Sequence, residues 1–127
     1  MILVDTSVWI DHLRVRDDAL ATMLEGAQVW AHPFVIGELA CGNLHNRSEV
    51  LALLEYLPQL AVATDPEVLF YIQQHQLMGR GIGYLDAHLL ASVALSSPAR
   101  LWTRDKRLAA VATELEMSFV KEGAGVP

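Results

Sequence analysis

The chain of 127 residues holds one cysteine, Cys41. A lone thiol excludes an intrachain disulfide and suits a reducing compartment, and its surroundings read as those of a small buried helix residue, not of a reactive group. Long apolar runs are missing too. Stretches such as Leu89–Leu95 fall far short of the about 20 residues that span a bilayer, and Met1–Asp5 shows neither a basic leader nor a cleavage site. No membrane contact and a cytoplasmic location are therefore expected. Positive charge is scarce: Lys and Arg number 9 against 15 Asp and Glu, a formal balance of −6. That speaks against a strongly basic, non-specific binder of nucleic acid. It leaves room for an enzyme that meets a polyanion through a bound cation and a few local arginines. The five histidines lack zinc-like spacing such as HExxH, and paired CxxC, GxxxxGK[ST] and GxGxxG are all absent.

What is present is a high share of apolar residues, 53%, in a length that suits one domain burying roughly two-thirds of its unfolded surface. Short apolar runs at Ile2–Val4, Val29–Ala31, Leu60–Val62, Leu101–Thr103 and Ser118–Val120 read as strands. Between them lie helical periods with start and stop signals. Asp5-Thr6-Ser7 opens a helix to about Leu13, Asp17 and Asp18 cap another closed by Gly26, and Pro33 begins a third to Leu44. Ser48 caps a helix to about Leu57, and Asp65-Pro66-Glu67 starts one carrying Val68, Leu69, Ile72 and Leu77. Tyr84–Leu95 is apolar nearly all round and predicts a buried central helix. Asp105–Leu115 is the last helix, and Gly123–Pro127 a frayed tail. Three glycines in Gly79–Gly83 defeat helix and strand and predict a loop, serving as a flexible lid or a substrate-side loop. Strands alternating with helices indicate an α/β fold with a mostly parallel sheet, whose ligand sites lie beyond the carboxyl ends of the strands.

Four carboxylates stand where apolar elements have no evident use for them: Asp5, Glu38, Asp86 and Asp105. Singly, Asp5 and Asp105 serve as well as helix caps, and Asp86 as an acid offsetting a helix dipole. Glu38 sits among apolar and small neighbours, so burial would demand a cation, a proton or a donor. Gathered together, the four repel one another unless a cation joins them. The hard cation suited to such oxygens is Mg²⁺ or Mn²⁺, and phosphodiester hydrolysis is the chemistry it best serves. Arg100, Arg104, Lys106 and Arg107 bracket Asp105 and could meet phosphates, though a solvated helix start predicts the same cluster. His12, His32, His45, His75 and His88 read as packing or surface residues, His88 lying off the helical face of Asp86.

Met1–Ser7, then Pro33-x-x-Ile36-Gly37-Glu38-Leu39, then Tyr84–Ala91 and Leu101–Leu108 resemble the motifs of PIN-domain ribonucleases, in order and spacing along essentially the whole chain. More narrowly, the chain resembles VapC toxins of bacterial type II toxin–antitoxin systems. The resemblance implies a single domain over residues 1–127, three-layered α/β/α around a mostly parallel sheet. It implies an endoribonuclease dependent on Mg²⁺ or Mn²⁺ at Asp5, Glu38, Asp86 and Asp105, supported by the hydroxyls of Thr6 or Ser7 and Thr103. Arg80, Arg104, Lys106 and Arg107 are then candidate contacts to RNA phosphates. It further implies a homodimer silenced by a cognate VapB-type antitoxin. The rivals are a phosphatase with an aspartyl nucleophile, which usually wants a second acid where Ser7 stands, and a silent acidic module docking a basic protein.

Overall fold

The computed structural model describes residues 1–119. Three short strands, β1 (Ile2–Val4), β2 (Val29–Trp30) and β3 (Arg100–Trp102), form an all-parallel sheet in the order β2-β1-β3. Leu3 faces Trp30 on one side and Leu101 on the other, so β1 is central. Seven helices complete the described chain: α1 (Thr6–Arg14), α2 (Asp18–Glu25), α3 (Pro33–Ala40), α4 (Arg47–Tyr56), α5 (Asp65–His75), α6 (Tyr84–Leu95) and α7 (Lys106–Glu114).

Connectivity decides which face each helix covers. The chain steps from β1 outward to β2, and on to a single parallel bridge between Ala31 and Gln59. It then reverses across the sheet to β3 and continues to a bridge between Leu101 and Ser118. Parallel crossovers are right-handed in nearly all cases, so a reversal of direction moves the connecting helices to the opposite face. Helices α1–α4 therefore cover one face and α5–α7 the other, a three-layer α/β/α sandwich. The contacts of α1 with α3, α3 with α4, and α5 with α6 agree. Covered on both faces, Leu3, Val4 and Leu101 are wholly buried, as the strands of such a sheet must be. Each contributes about 2 kcal/mol of apolar burial. In α6 every residue from Ala87 to Val93 is buried, which its unbroken apolar run predicted.

Several elements differ from the sequence expectations. The strand expected over Leu60–Val62 reduces to the Gln59 bridge, because Ala61 and Val62 turn out to solvent while Ala63 donates its N–H to Ser92 Oγ. Of the strand expected at Ser118–Val120, the described residues show the parallel bridge of Ser118 with Leu101; Val120 and the tail at Gly123–Pro127 lie outside the described residues. Helix α3 stops at Ala40, four residues before Leu44, and its cap Cys41 is exposed, not buried. Asn46, in the left-handed region at φ 52°, precedes α4 in place of Ser48. Thr64 caps α5 in place of Asp65, paired with Glu67 in a reciprocal capping box. The Gly79–Gly83 loop is fastened to α7: Arg80 grips Glu114 with two hydrogen bonds of 2.9 Å, and Arg107 lies over Gly81.

Candidate active site

The carboxyl ends of β1 and β3 emerge side by side, and the Asp5 N–H still donates to the Trp102 carbonyl at 2.9 Å. Asp5 follows β1 and Asp105 follows β3 by three residues. The Asp5 carboxylate makes no cap bond to α1, although it occupies the N-cap position. It is instead buried, and its Oδ2 accepts from Ser7 Oγ at 2.9 Å and from Thr103 Oγ1 at 2.8 Å. Thr103 Oγ1 in turn accepts the Asp105 N–H at 3.1 Å, and Ser7 Oγ accepts the Arg104 N–H at 3.0 Å. One hydroxyl thus ties the side chain of the first acid to the backbone of the last.

The other acids arrive from separate elements. Asp105 caps α7, its Oδ1 accepting the N–H groups of Arg107 and Leu108, both at 3.0 Å. Asp86, in the first turn of α6, accepts the Gly83 N–H at Oδ2, 3.2 Å. Its carboxyl is pushed above the usual carboxylate range, chiefly by burial and further by the charges of Asp5 and Asp105; the Gly83 bond opposes the rise. These three acids therefore share one electrostatic neighbourhood. Glu38 is tied to the residue beside Asp5: Thr6 Oγ1 donates to Glu38 Oε1 at 2.9 Å. Glu38 is exposed on α3, so the burial inferred from its apolar neighbours does not hold. Its chain neighbours Val35 and Leu39 point inward while the carboxylate faces solvent and Thr6.

Among the described residues, the side-chain hydrogen bonds of all four acids reach one oxygen alone: Oδ2 in Asp5 and Asp86, Oε1 in Glu38, Oδ1 in Asp105. Each carboxylate is oriented by one oxygen while the other keeps its lone pairs for a ligand. An all-oxygen donor set of this kind fits Mg²⁺ or Mn²⁺ and not a thiolate- or imidazole-seeking metal. Among the described residues no three His, Cys, Asp or Glu side chains stand close enough to enclose an ion directly.

The basic residues divide into two groups. Arg104 is held by Asp11 and Asp17 at 2.6 Å each and lies over the Trp102 ring, and Arg80 is held by Glu114. Among the described residues Lys106 and Arg107 make no ion pair. Both begin α7 directly after Asp105. The buried histidines, His32 and His88, pack on either side of the Phe34 ring in one cluster, in keeping with the packing role read from the sequence. What the sequence reading missed is the contact of that cluster with Asp65; the four-residue spacing of Tyr84 and His88, one helical turn, was the available signal.

A family model described as PIN domain matches residues 2–114. The chain belongs to the PIN-domain family. This PIN domain is 51% identical over 122 residues to Ribonuclease VapC32 from two strains of Mycobacterium tuberculosis, covering 96% of this chain and 98% of that relative. It is accordingly a PIN domain of the VapC type. Among solved structures, the crystal structure of PAE2754 from Pyrobaculum aerophilum matches with a TM-score of 0.58 at 23% identity, over 87% of this chain and 78% of that one. That likeness bears on the fold alone, and it agrees with the three layers described above.

Proposed function

We propose that this PIN domain is a divalent-metal-dependent endoribonuclease, the toxin of a type II toxin–antitoxin pair. The observation that carries the reading is the set of four acids drawn from four separate segments, each hydrogen-bonded, among the described residues, through one oxygen. Likeness along nearly the whole length to a protein named as a ribonuclease supports it.

Asp5, Asp86 and Asp105 are the residues that would hold Mg²⁺ or Mn²⁺, partly through bound waters because no three acids among the described residues enclose an ion directly, with Glu38 completing the shell. A cation bound there supplies Lewis acidity and offsets charge developing on a cleaved phosphodiester. The chain's own side chains do the orienting. Ser7 and Thr103 fix the Asp5 carboxylate, Thr6 turns Glu38 toward the cluster, and the α7 N-terminus steadies Asp105. Burial and like charge make Asp86 an unfavourable anion alone, which favours uptake of a cation. Lys106 and Arg107, which make no ion pair among the described residues, would meet RNA phosphates; Arg80 and Arg104 would do so only by giving up their carboxylate partners. A cognate VapB-type antitoxin, a homodimeric assembly and a cytoplasmic location complete the reading. No helix among the described residues is long and apolar enough to cross a membrane.

The deciding experiment incubates purified protein with RNA in Mg²⁺, in Mn²⁺ and after chelation. Cleavage is expected with either ion, none with chelator, and none from Asp5→Asn, whose circular dichroism matches the wild type. Undiminished cleavage by Asp5→Asn would end the proposal.

A further inference from the structure

Asp65 opens α5, on the far side of α6 from the acid cluster, and nothing in the chemistry above uses it. Its Oδ1 nevertheless accepts two hydrogen bonds from α6: the Tyr84 hydroxyl at 2.7 Å and His88 Nε2 at 3.1 Å. A carboxylate only accepts, so Nε2 is the protonated ring nitrogen. The other nitrogen, Nδ1, is buried and has no partner among the described residues. Among the described residues the bond to Asp65 is therefore the one hydrogen bond that orients this ring, whose side chain is only 3% exposed.

Tyr84 and His88 are four apart and stack on one face of α6. Asp86 lies midway between them in sequence, hence about half a turn round the helix, on the opposite face. A pin on one face of a helix at two levels fixes both its rotation and its tilt. Phe34 of α3 and the Tyr84 ring close edge-on against His88, with centroids at 4.6 Å and 4.9 Å, so the ring has little freedom to compensate. The donors leave their mark on Asp65, whose carboxyl falls below its ordinary range, first through Tyr84 and then through His88.

We propose that Asp65 is a positioning residue of the acid cluster: by strapping Tyr84 and His88 to the start of α5, it sets the rotation of α6 and so the place of the Asp86 carboxylate. This inference rests on the metal-dependent reading of the cluster. Partners one step removed from a metal site typically alter affinity by about 10- to 100-fold.

The test measures Mn²⁺ affinity by calorimetry together with the melting temperature. Asp65→Ala is expected to weaken Mn²⁺ binding by about tenfold or more. Asp65→Asn, whose amide oxygen still accepts from both donors, restores most of that loss. Thr64→Ala removes the cap of α5 but leaves the strap, so it lowers the melting temperature and spares Mn²⁺ affinity. Tyr84→Phe gives a smaller loss in the same direction, and stands in should Asp65→Ala fail to fold. Wild-type affinity in Asp65→Ala or Tyr84→Phe overturns the strap. So does an affinity loss in Thr64→Ala that follows its melting temperature, or a failure of Asp65→Asn to rescue. A wild-type protein that takes up no Mn²⁺ overturns the metal reading itself, and the strap with it.

Discussion

Thr103 and Asp5 lie 98 residues apart, yet the threonine hydroxyl donates to Asp5 Oδ2 at 2.8 Å while accepting the Asp105 N–H. The two parallel strands β1 and β3 make this possible by ending at the same edge. Thr103→Val keeps the shape and removes both bonds, leaving Asp5 held by Ser7 alone. RNA cleavage and Mn²⁺ affinity should fall by about 10- to 100-fold, with a stability loss of about 1–2 kcal/mol. Thr103→Ser, which keeps the hydroxyl, should stay near wild type. Equal behaviour of the two variants would show that the hydroxyl orients nothing.

Arg104 is a structural strut between two acids. Its guanidinium joins Asp11 of α1 to Asp17, whose other oxygen accepts the Leu20 N–H at the start of α2. Arg104→Ala leaves two carboxylates facing each other and should destabilise by about 1 kcal/mol, the scale of a partly exposed ion-pair network. The gap between variant and wild type in urea denaturation should shrink in high salt, because exposed charges are screened. A gap that ignores salt would assign the loss to packing on Trp102 instead.

Gly81 and Arg107 define a second expected difference. Gly81 has φ +80°, and a Cβ there would stand 2.6 Å from Arg107 Cδ and 2.8 Å from Nη1. Gly79 has a similar φ, +72°, but open space around it. Gly79→Ala should cost only its backbone strain, about 1 kcal/mol. Gly81→Ala adds displacement of Arg107 and should also raise the KM for RNA. Arg107→Ala should raise KM alone, with little change in melting temperature, since no ion pair is lost. An Arg107→Ala variant with unchanged KM would remove it from the phosphate contacts.

The sequence made the strand-end acids legible because an apolar triplet followed by a cap-forming residue fixes local geometry within a few positions. Asp105 proved to be both cap and cluster member, so the two readings did not compete. The burial expected of Glu38 does not hold, because apolar neighbours in sequence do not bury a helix residue that points away from them. The strand expected at Leu60–Val62 shortens because three apolar residues suffice for a strand only where a neighbour continues the ladder. At Gln59 the pairing with Ala31 ends after one bridge. The caps of α4 and α5 were misplaced by one or two residues because adjacent Asn, Ser, Thr and Asp all carry cap chemistry. The contact of Asp65 with Tyr84 and His88 is legible only in half: the four-residue spacing of Tyr84 and His88 marks a shared helix face, but how α5 packs on that face is written in no local pattern.

His32 supplies a pH dependence. It is wholly buried, its Nδ1 accepts the Phe34 N–H at 3.0 Å, and Nε2 meets Ser92 Oγ at 3.0 Å. With Nδ1 accepting, Nε2 carries the proton and donates to Ser92, and a second proton would displace the Phe34 bond. Burial, reinforced by the neighbouring His88, pushes its pKa from 6.5 to about 4. Because the folded value lies below the unfolded one, the contribution to stability is fully present above about pH 6.5. It is lost progressively as pH falls toward 4, at up to about 1.4 kcal/mol per pH unit and about 3 kcal/mol in all. Carboxylates titrate at the lower end of this window, so the clean interval is pH 5 to 6.5. His32→Asn keeps an acceptor for the Phe34 N–H and removes the titrating ring. Denaturant midpoints should decline less steeply between pH 6.5 and 5 in the variant than in the wild type. Parallel slopes would mean that His32 binds its proton in the folded state as readily as in the unfolded chain.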